Sequence, residues 1–156
     1  MHEYLWQINA LLKTIVTTEI QCCEYNLRNS RGMRIAFAGD CIDIWPSIKH
    51  NFHETVIMTP IYNRPSSQLL CANYDELPLQ EDYLNCLVLF HVFDFNPYVD
   101  QVITECWRVL APEGKLLVFG LNSYSLFSQK HLIELFNPKP DHQKPIFTLT
   151  LRNKLL

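Results

Sequence analysis

At 156 residues the chain is long enough to bury the core of one domain and short for two, and 48% apolar with 19% charged residues excludes a disordered or low-complexity polypeptide. A formal charge of −3 and a pI near 6.0 provide neither a broad basic face for phosphate backbones nor a polybasic anchor, so nucleic acid and membrane are not expected partners.

The opening MHEYLWQINALLK carries Glu3 and does not read as a signal peptide. No apolar run approaches the roughly 20 residues that span a bilayer, and a cytoplasmic location is expected. Six cysteines (Cys22, Cys23, Cys41, Cys71, Cys86 and Cys106) occur without a CxxC pair and are read as reduced, buried thiols. Cys41, His50 and His53 lack a fourth ligand and the usual zinc spacing, so no metal is expected.

Tyr4, Leu5, Ile8, Leu11, Leu12, Ile15 and Val16 recur at helical steps and predict an N-terminal helix within residues 1–28 that packs on a sheet and continues to Tyr25. After the turn residues Asn29 to Gly32, MRIAFAG is the first strand. Trp45 to Phe52 suits a short helix with Pro46 in its first turn, and TVIMTP is the second strand, ending at Pro60. IYNRPSS is loop, QLLCA a short third strand and NYDELPLQEDY a turn-rich connection. CLVLFHVF is the fourth strand, broken by DFNP. The helix that follows carries Tyr98, Val102, Val109 and Leu110 on one face. It stops at Ala111-Pro112-Glu113-Gly114, where Pro112 cannot continue it and Gly114 suits a left-handed backbone, and KLLVFGL is strand five. Leu126 to Phe136 reads as another helix, NPKPDHQKP as loop and IFTLTL as a last strand.

This alternation predicts one α/β domain over residues 1–156, with its core at 33–122 and a terminal helix, loop and strand at 123–156. The sheet is expected to be doubly wound and mainly parallel, with helices on both faces. In such sheets ligands bind at the carboxyl ends of the strands, where strand order reverses. Gly39, Asp40, Thr59, Asn73, Tyr74, Phe90, His91, Leu121 and Asn122 fall there, although each also has a plain reading as a strand end. A nicotinamide enzyme would need G-x-G-x-x-G, and AFAGDCIDIW has no second glycine. GLNSYS is not a G-x-S-x-G elbow.

Read together, ANYDELPLQEDYLNCLVLFHVFDF and ECWRVLAPEGKLLVFGLN resemble the core of class I S-adenosylmethionine-dependent methyltransferases, and most closely the methyltransferase type 11 group. Ala72-Asn73 stand for the family's Gly-Asp step, Leu77-Pro78-Leu79 for Leu-Pro-Phe, Leu84-Asn85 for Phe-Asp, and Arg108 to Gly114 for Arg-Val-Leu-Lys-Pro-Gly-Gly. The resemblance implies a Rossmann-like methyltransferase fold and S-adenosylmethionine as cofactor, with Asn73 and Tyr74 at the adenine. Gly39, Asp40 and Thr59 would serve the amino acid and ribose side, while Phe90 and His91 would line the methyl-transfer cleft. His91 or Asp94 is the candidate base for an oxygen or nitrogen nucleophile.

The chain departs from the family pattern at three places. The loop after strand one keeps one glycine, strand two ends on Thr59 where the family has an acid, and part of the C-terminal hairpin is not visible. Two functions follow: a methyltransferase acting on a small-molecule or other acceptor, or a catalytically inactive relative serving as a partner subunit. The acceptor and the oligomeric state stay open, and the aromatic residues Phe93, Phe95, Tyr98, Tyr124 and Phe127 read either as an apolar lip or as core.

Overall fold

A computed structural model of the protein describes residues 10–39, 45–60, 69–94 and 96–120. Asp40, Cys41, Phe95 and everything from Leu121 onward lie outside the described residues, and with them the expected helix at 126–136 and the strand IFTLTL.

Helix α1 spans Ala10–Leu27. It is followed by strand β1 (Arg31–Ala38), a single 3-10 turn at Trp45–Ser47, β2 (Asn51–Thr59) and β3 (Leu69–Cys71), then by β4 (Leu84–Phe90), helix α2 (Val99–Val109) and β5 (Leu110–Phe119). All four strand pairings among the described residues are parallel and the order is β3-β2-β1-β4-β5, so the direction of winding reverses between β1 and β4. Side chains alternate across the sheet. Ile35, Phe37, Cys86, Val88 and Phe90 meet Cys23 and Leu27 of α1 on one face, while Ala36, Ala38, Leu87 and Leu89 meet Val102, Ile103, Cys106 and Val109 of α2 on the other. The expected doubly wound α/β sheet is what forms. Among the described residues no helix is long and apolar enough to cross a membrane.

Several local expectations give way to the needs of the sheet. The helix read over Trp45 to Phe52 is only the 3-10 turn, because Asn51 and Phe52 pair with Arg31 and Gly32 and open β2. Strand four ends at Phe90 and does not include His91, whose φ of 56° turns the chain out of the ladder. On α2, Tyr98 is an exposed N-cap residue, and Leu110 is the first residue of β5 opposite Leu84. The chain passes from helix to strand without a gap and then loops out between Leu110 and Lys115. The left-handed residue in that loop is Glu113 (φ 64°), not Gly114. Gly114 matters for space: a Cβ there would sit 2.7 Å from the Ala111 carbonyl oxygen. Of the five described cysteines, Cys23, Cys86 and Cys106 are buried and have thiols pushed up to about 12 by that burial, whereas Cys22 and Cys71 are exposed.

Asn85 explains one of the sequence motifs. Its Oδ1 accepts the backbone N–H groups of Met33 (2.8 Å) and Arg34 (3.0 Å), joining β4 to β1 just before their ladder begins at Ile35 and Cys86. A carboxylate would accept the same two bonds. Asn85→Ala is therefore expected to lower stability by about 1–2 kcal/mol in urea unfolding, and Asn85→Asp to retain it. An aspartate variant as weak as the alanine variant would refute this role.

Candidate functional site

The carboxyl ends of the strands form one continuous edge held by backbone bonds. Ala72 N–H donates to the Thr59 carbonyl (3.0 Å), Gly39 N–H to the Met58 carbonyl (3.3 Å) and His91 N–H to the Phe119 carbonyl (2.8 Å). Asn73 and Tyr74 after β3, Thr59 at the end of β2, Gly39 after β1, and Phe90 and His91 at the end of β4 thus occupy a single line. It covers three strand spacings, about 14 Å. Asp40 is outside the described residues.

Gly39 sits at the reversal of strand order with φ 146°, and a Cβ there would lie 2.5 Å from the Phe90 carbonyl oxygen. Glycine is needed for close approach between β1 and β4 and for the backbone conformation itself. Thr59 is fully buried, Asn73 is exposed, and Tyr74 is partly buried against the α2-side core. The Phe90 ring is part of an aromatic row on the α1 face, stacked on Phe119 (centroids 4.3 Å) and against Trp45 (4.4 Å), which in turn stacks on Phe37. Phe93 is buried in the opposite core and Tyr98 is exposed, so these two form no common lip.

His91 is clamped between two acids. Its Nδ1 lies 2.7 Å from Asp94 Oδ2 and its Nε2 lies 3.2 Å from Glu19 Oε2 on α1, with all three side chains largely buried. Burial by itself would lower the imidazole, but the hydrogen bonds to Asp94 and Glu19 outweigh it and push His91 up to about 9. The ring is an imidazolium at neutral pH. The Asp94 N–H donates to the His91 carbonyl (3.3 Å), which closes the turn that the positive φ of His91 begins.

The loop that carries Asn73 and Tyr74 is fixed from α2. Arg108 donates to the carbonyls of Leu79 (2.7 Å) and Leu77 (2.9 Å), while Glu105 accepts the Leu77 N–H (2.8 Å) and pairs with Arg108. The Arg108 guanidinium holds the Glu105 carboxyl below its usual range. Leu77-Pro78-Leu79 and Arg108-Val109-Leu110 are thus two halves of one contact.

Sequence reasoning found the edge and missed four of its side chains. Glu19 continues the inward-facing stripe of α1, in step with Val16, Ile20, Cys23 and Leu27. A carboxylate in that stripe signals a buried partner. Arg108 and Glu105 were legible only as a helix ending. Trp45, 1% exposed, has an Nε1–H that is buried and has no hydrogen-bond partner among the described residues. A buried donor left unmet is uncommon in proteins, and it lies in the crossover between β1 and β2, beside Phe90.

A family model described as a methyltransferase domain matches residues 31–118, from the first residue of β1 to the penultimate residue of β5. No curated protein matches the chain. Among solved structures the fold is similar to that of a protein described as a SAM dependent methyltransferase from Archaeoglobus fulgidus, with a TM-score of 0.59 and 15% identity over 87% of this chain. The chain covers 66% of the length of that protein.

Proposed function

Because the chain belongs to the methyltransferase domain family, matched over more than half its length, we propose that it transfers a methyl group from S-adenosylmethionine to an acceptor at the carboxyl edge of the sheet. The similarity in fold to a protein described as SAM dependent supports the same reading. The observation that carries it is the continuous edge from Asn73 to His91, with glycine at the reversal of strand order.

The residues present suit that cofactor. Asn73 and Tyr74 take the adenine end and Gly39 the amino acid portion, whereas the hydroxyl expected to serve the ribose, that of Thr59, is fully buried. Trp45, packed against Phe90 at the end of β4, has a buried N–H with no acceptor among the described residues, and a carboxylate would serve as one. In this reading the indole supplies a hydrogen-bond donor to the carboxylate of the cofactor's amino acid portion. When bound, the cofactor contributes an activated sulfonium methyl group, so the chain has to position the acceptor and needs no nucleophile of its own. His91 and Asp94 stand at the methyl-transfer end. As long as His91 carries its proton it is not a base, so an acceptor that must lose a proton through His91 would react faster as pH rises toward 9.

Calorimetric titration with S-adenosylhomocysteine tests the assignment, with 5′-methylthioadenosine, which lacks the carboxylate, as the comparison. Both are expected to bind. Trp45→Phe is expected to weaken S-adenosylhomocysteine about tenfold and leave methylthioadenosine unchanged, as loss of one hydrogen bond to a charged group would. No heat and no thermal shift with either ligand at millimolar concentration would overturn the reading in favour of a catalytically inactive relative.

A further inference from the structure

Glu19 and His91 form a bond across the molecule that the family match does not contain, because α1 lies wholly before residue 31. The path of α1 gives that bond its meaning. The helix is tied at the amino end of the sheet, where Lys115 Nζ donates to the Asn26 carbonyl (2.7 Å) and to Ser30 Oγ (3.2 Å) and Asn51 donates to the Arg28 carbonyl (3.3 Å). From there it runs back toward the carboxyl end, with Cys23 and Leu27 against β1 and β4, and Glu19 reaches His91 just past the last residue of β4. Residues 10–18 of the same helix therefore continue past the edge of the sheet, a length of about 14 Å at the helical rise. Its partly buried side chains there include Ile15 and Val16, and Thr14, Thr17 and Thr18 are exposed.

We propose that Asp94, His91 and Glu19 form an ionic latch that holds residues 10–18 of α1 as a wall beside the ligand edge, which makes Glu19 a positioning residue of that site. Among the described residues the charged groups bonded to the imidazole include Glu19 from α1 and Asp94 from the turn after β4, while β5 contributes the Phe119 carbonyl to the His91 N–H. Both carboxylates attract the imidazolium more strongly than the neutral ring, so these two bonds hold best while His91 keeps its proton. The imidazole is pushed up to about 9, consistent with a latch that is closed at neutral pH. Asp94 also borders Gly120, the residue after β5, where a Cβ would lie 2.9 Å from Asp94 Oδ1, so the fixed end of the latch is close-packed at the end of that strand. The wall's role rests on the proposed cofactor site, but the latch does not.

Three readouts on Glu19→Ala and the milder Glu19→Gln separate the two. Hydrogen exchange at residues 10–18 is expected to accelerate at least about tenfold in Glu19→Ala, as loss of a charged hydrogen bond implies, and less in Glu19→Gln, with residues 20–27 and the strands unchanged. The His91 ring, followed by NMR, is expected to titrate closer to an ordinary histidine in both. The affinity for S-adenosylhomocysteine is expected to fall severalfold in step with the exchange. Unchanged exchange at 10–18 together with an unchanged His91 titration would overturn the latch. Faster exchange with unchanged affinity would overturn the positioning role. Wild-type protein that binds no S-adenosylhomocysteine would defeat the methyltransferase reading and the positioning role with it, while exchange and titration would still decide the latch.

Discussion

Gly39→Ala is expected to lower stability by about 3 kcal/mol or more and the melting temperature by on the order of 10 °C. Two independent penalties meet at this residue. Its φ of 146° is a backbone conformation that side chains rarely adopt, and the added Cβ would lie 2.5 Å from the Phe90 carbonyl oxygen and 3.3 Å from Phe90 Cβ. The first of these neighbours is backbone in a central strand, buried between β1 and β5, and cannot swing aside as a surface side chain could. Relief requires β1 and β4 to separate at their carboxyl ends, where the ligand edge is built. Ligand affinity should then fall along with stability. Urea and thermal unfolding check the first part and calorimetry with S-adenosylhomocysteine the second. A variant within about 1 kcal/mol of wild type would show that the β1–β4 edge is looser than the geometry implies.

How much of this was readable in advance depends on the range of the interactions involved. The strands were legible because a central parallel strand is apolar on both sides, as AFA and CLVLF are, and short apolar runs between turn residues have few other uses. The carboxyl-edge residues followed from topology alone. The shortfalls share a cause. Trp45 to Phe52 has a sequence that tolerates a helix, but Asn51 and Phe52 are claimed by pairing with Arg31 and Gly32, some 20 residues earlier in the chain. Gly114 suggested the left-handed position, yet tight packing against Ala111 and Leu84 claims the glycine, and Glu113 bears the positive φ. His91 was visible as a residue near a strand end, whereas its acidic partner on α1 lies 72 positions away, a distance no local pattern reports. Arg108 and Leu77, 31 positions apart, are the same case: the motifs were recognised together and their bond was not.

Raising the pH from 6 to 9 is expected to remove about 3 kcal/mol of stability contributed by His91, whose imidazole is raised from 6.5 in the unfolded chain to about 9 in the fold, offset near the lower end by His50, whose imidazole burial holds below 6.5. The sign follows from proton counting. Between those two values the native state holds a proton that the unfolded chain has released, so stability is complete below about 6.5 and is lost as pH climbs through about 9. Buried thiols do not confuse this window. Cys23, Cys86 and Cys106 are pushed up to about 12, so they begin to weaken the fold only above the ordinary thiol value of 9.0. His91→Gln supplies the control. It removes the imidazolium that bridges Glu19 and Asp94, so at pH 6 it should be less stable than wild type by about 3 kcal/mol or more. The gap should shrink as the pH approaches 9, because the wild-type protein is losing what the variant never had. Urea unfolding of both proteins at half-unit pH steps measures the two slopes. A wild-type curve as flat as that of His91→Gln would mean that His91 gains no proton on folding and that Glu19 and Asp94 do not hold it as a cation. Parallel slopes, with the variant lower throughout, would reduce the three residues to a packing contact without a charge.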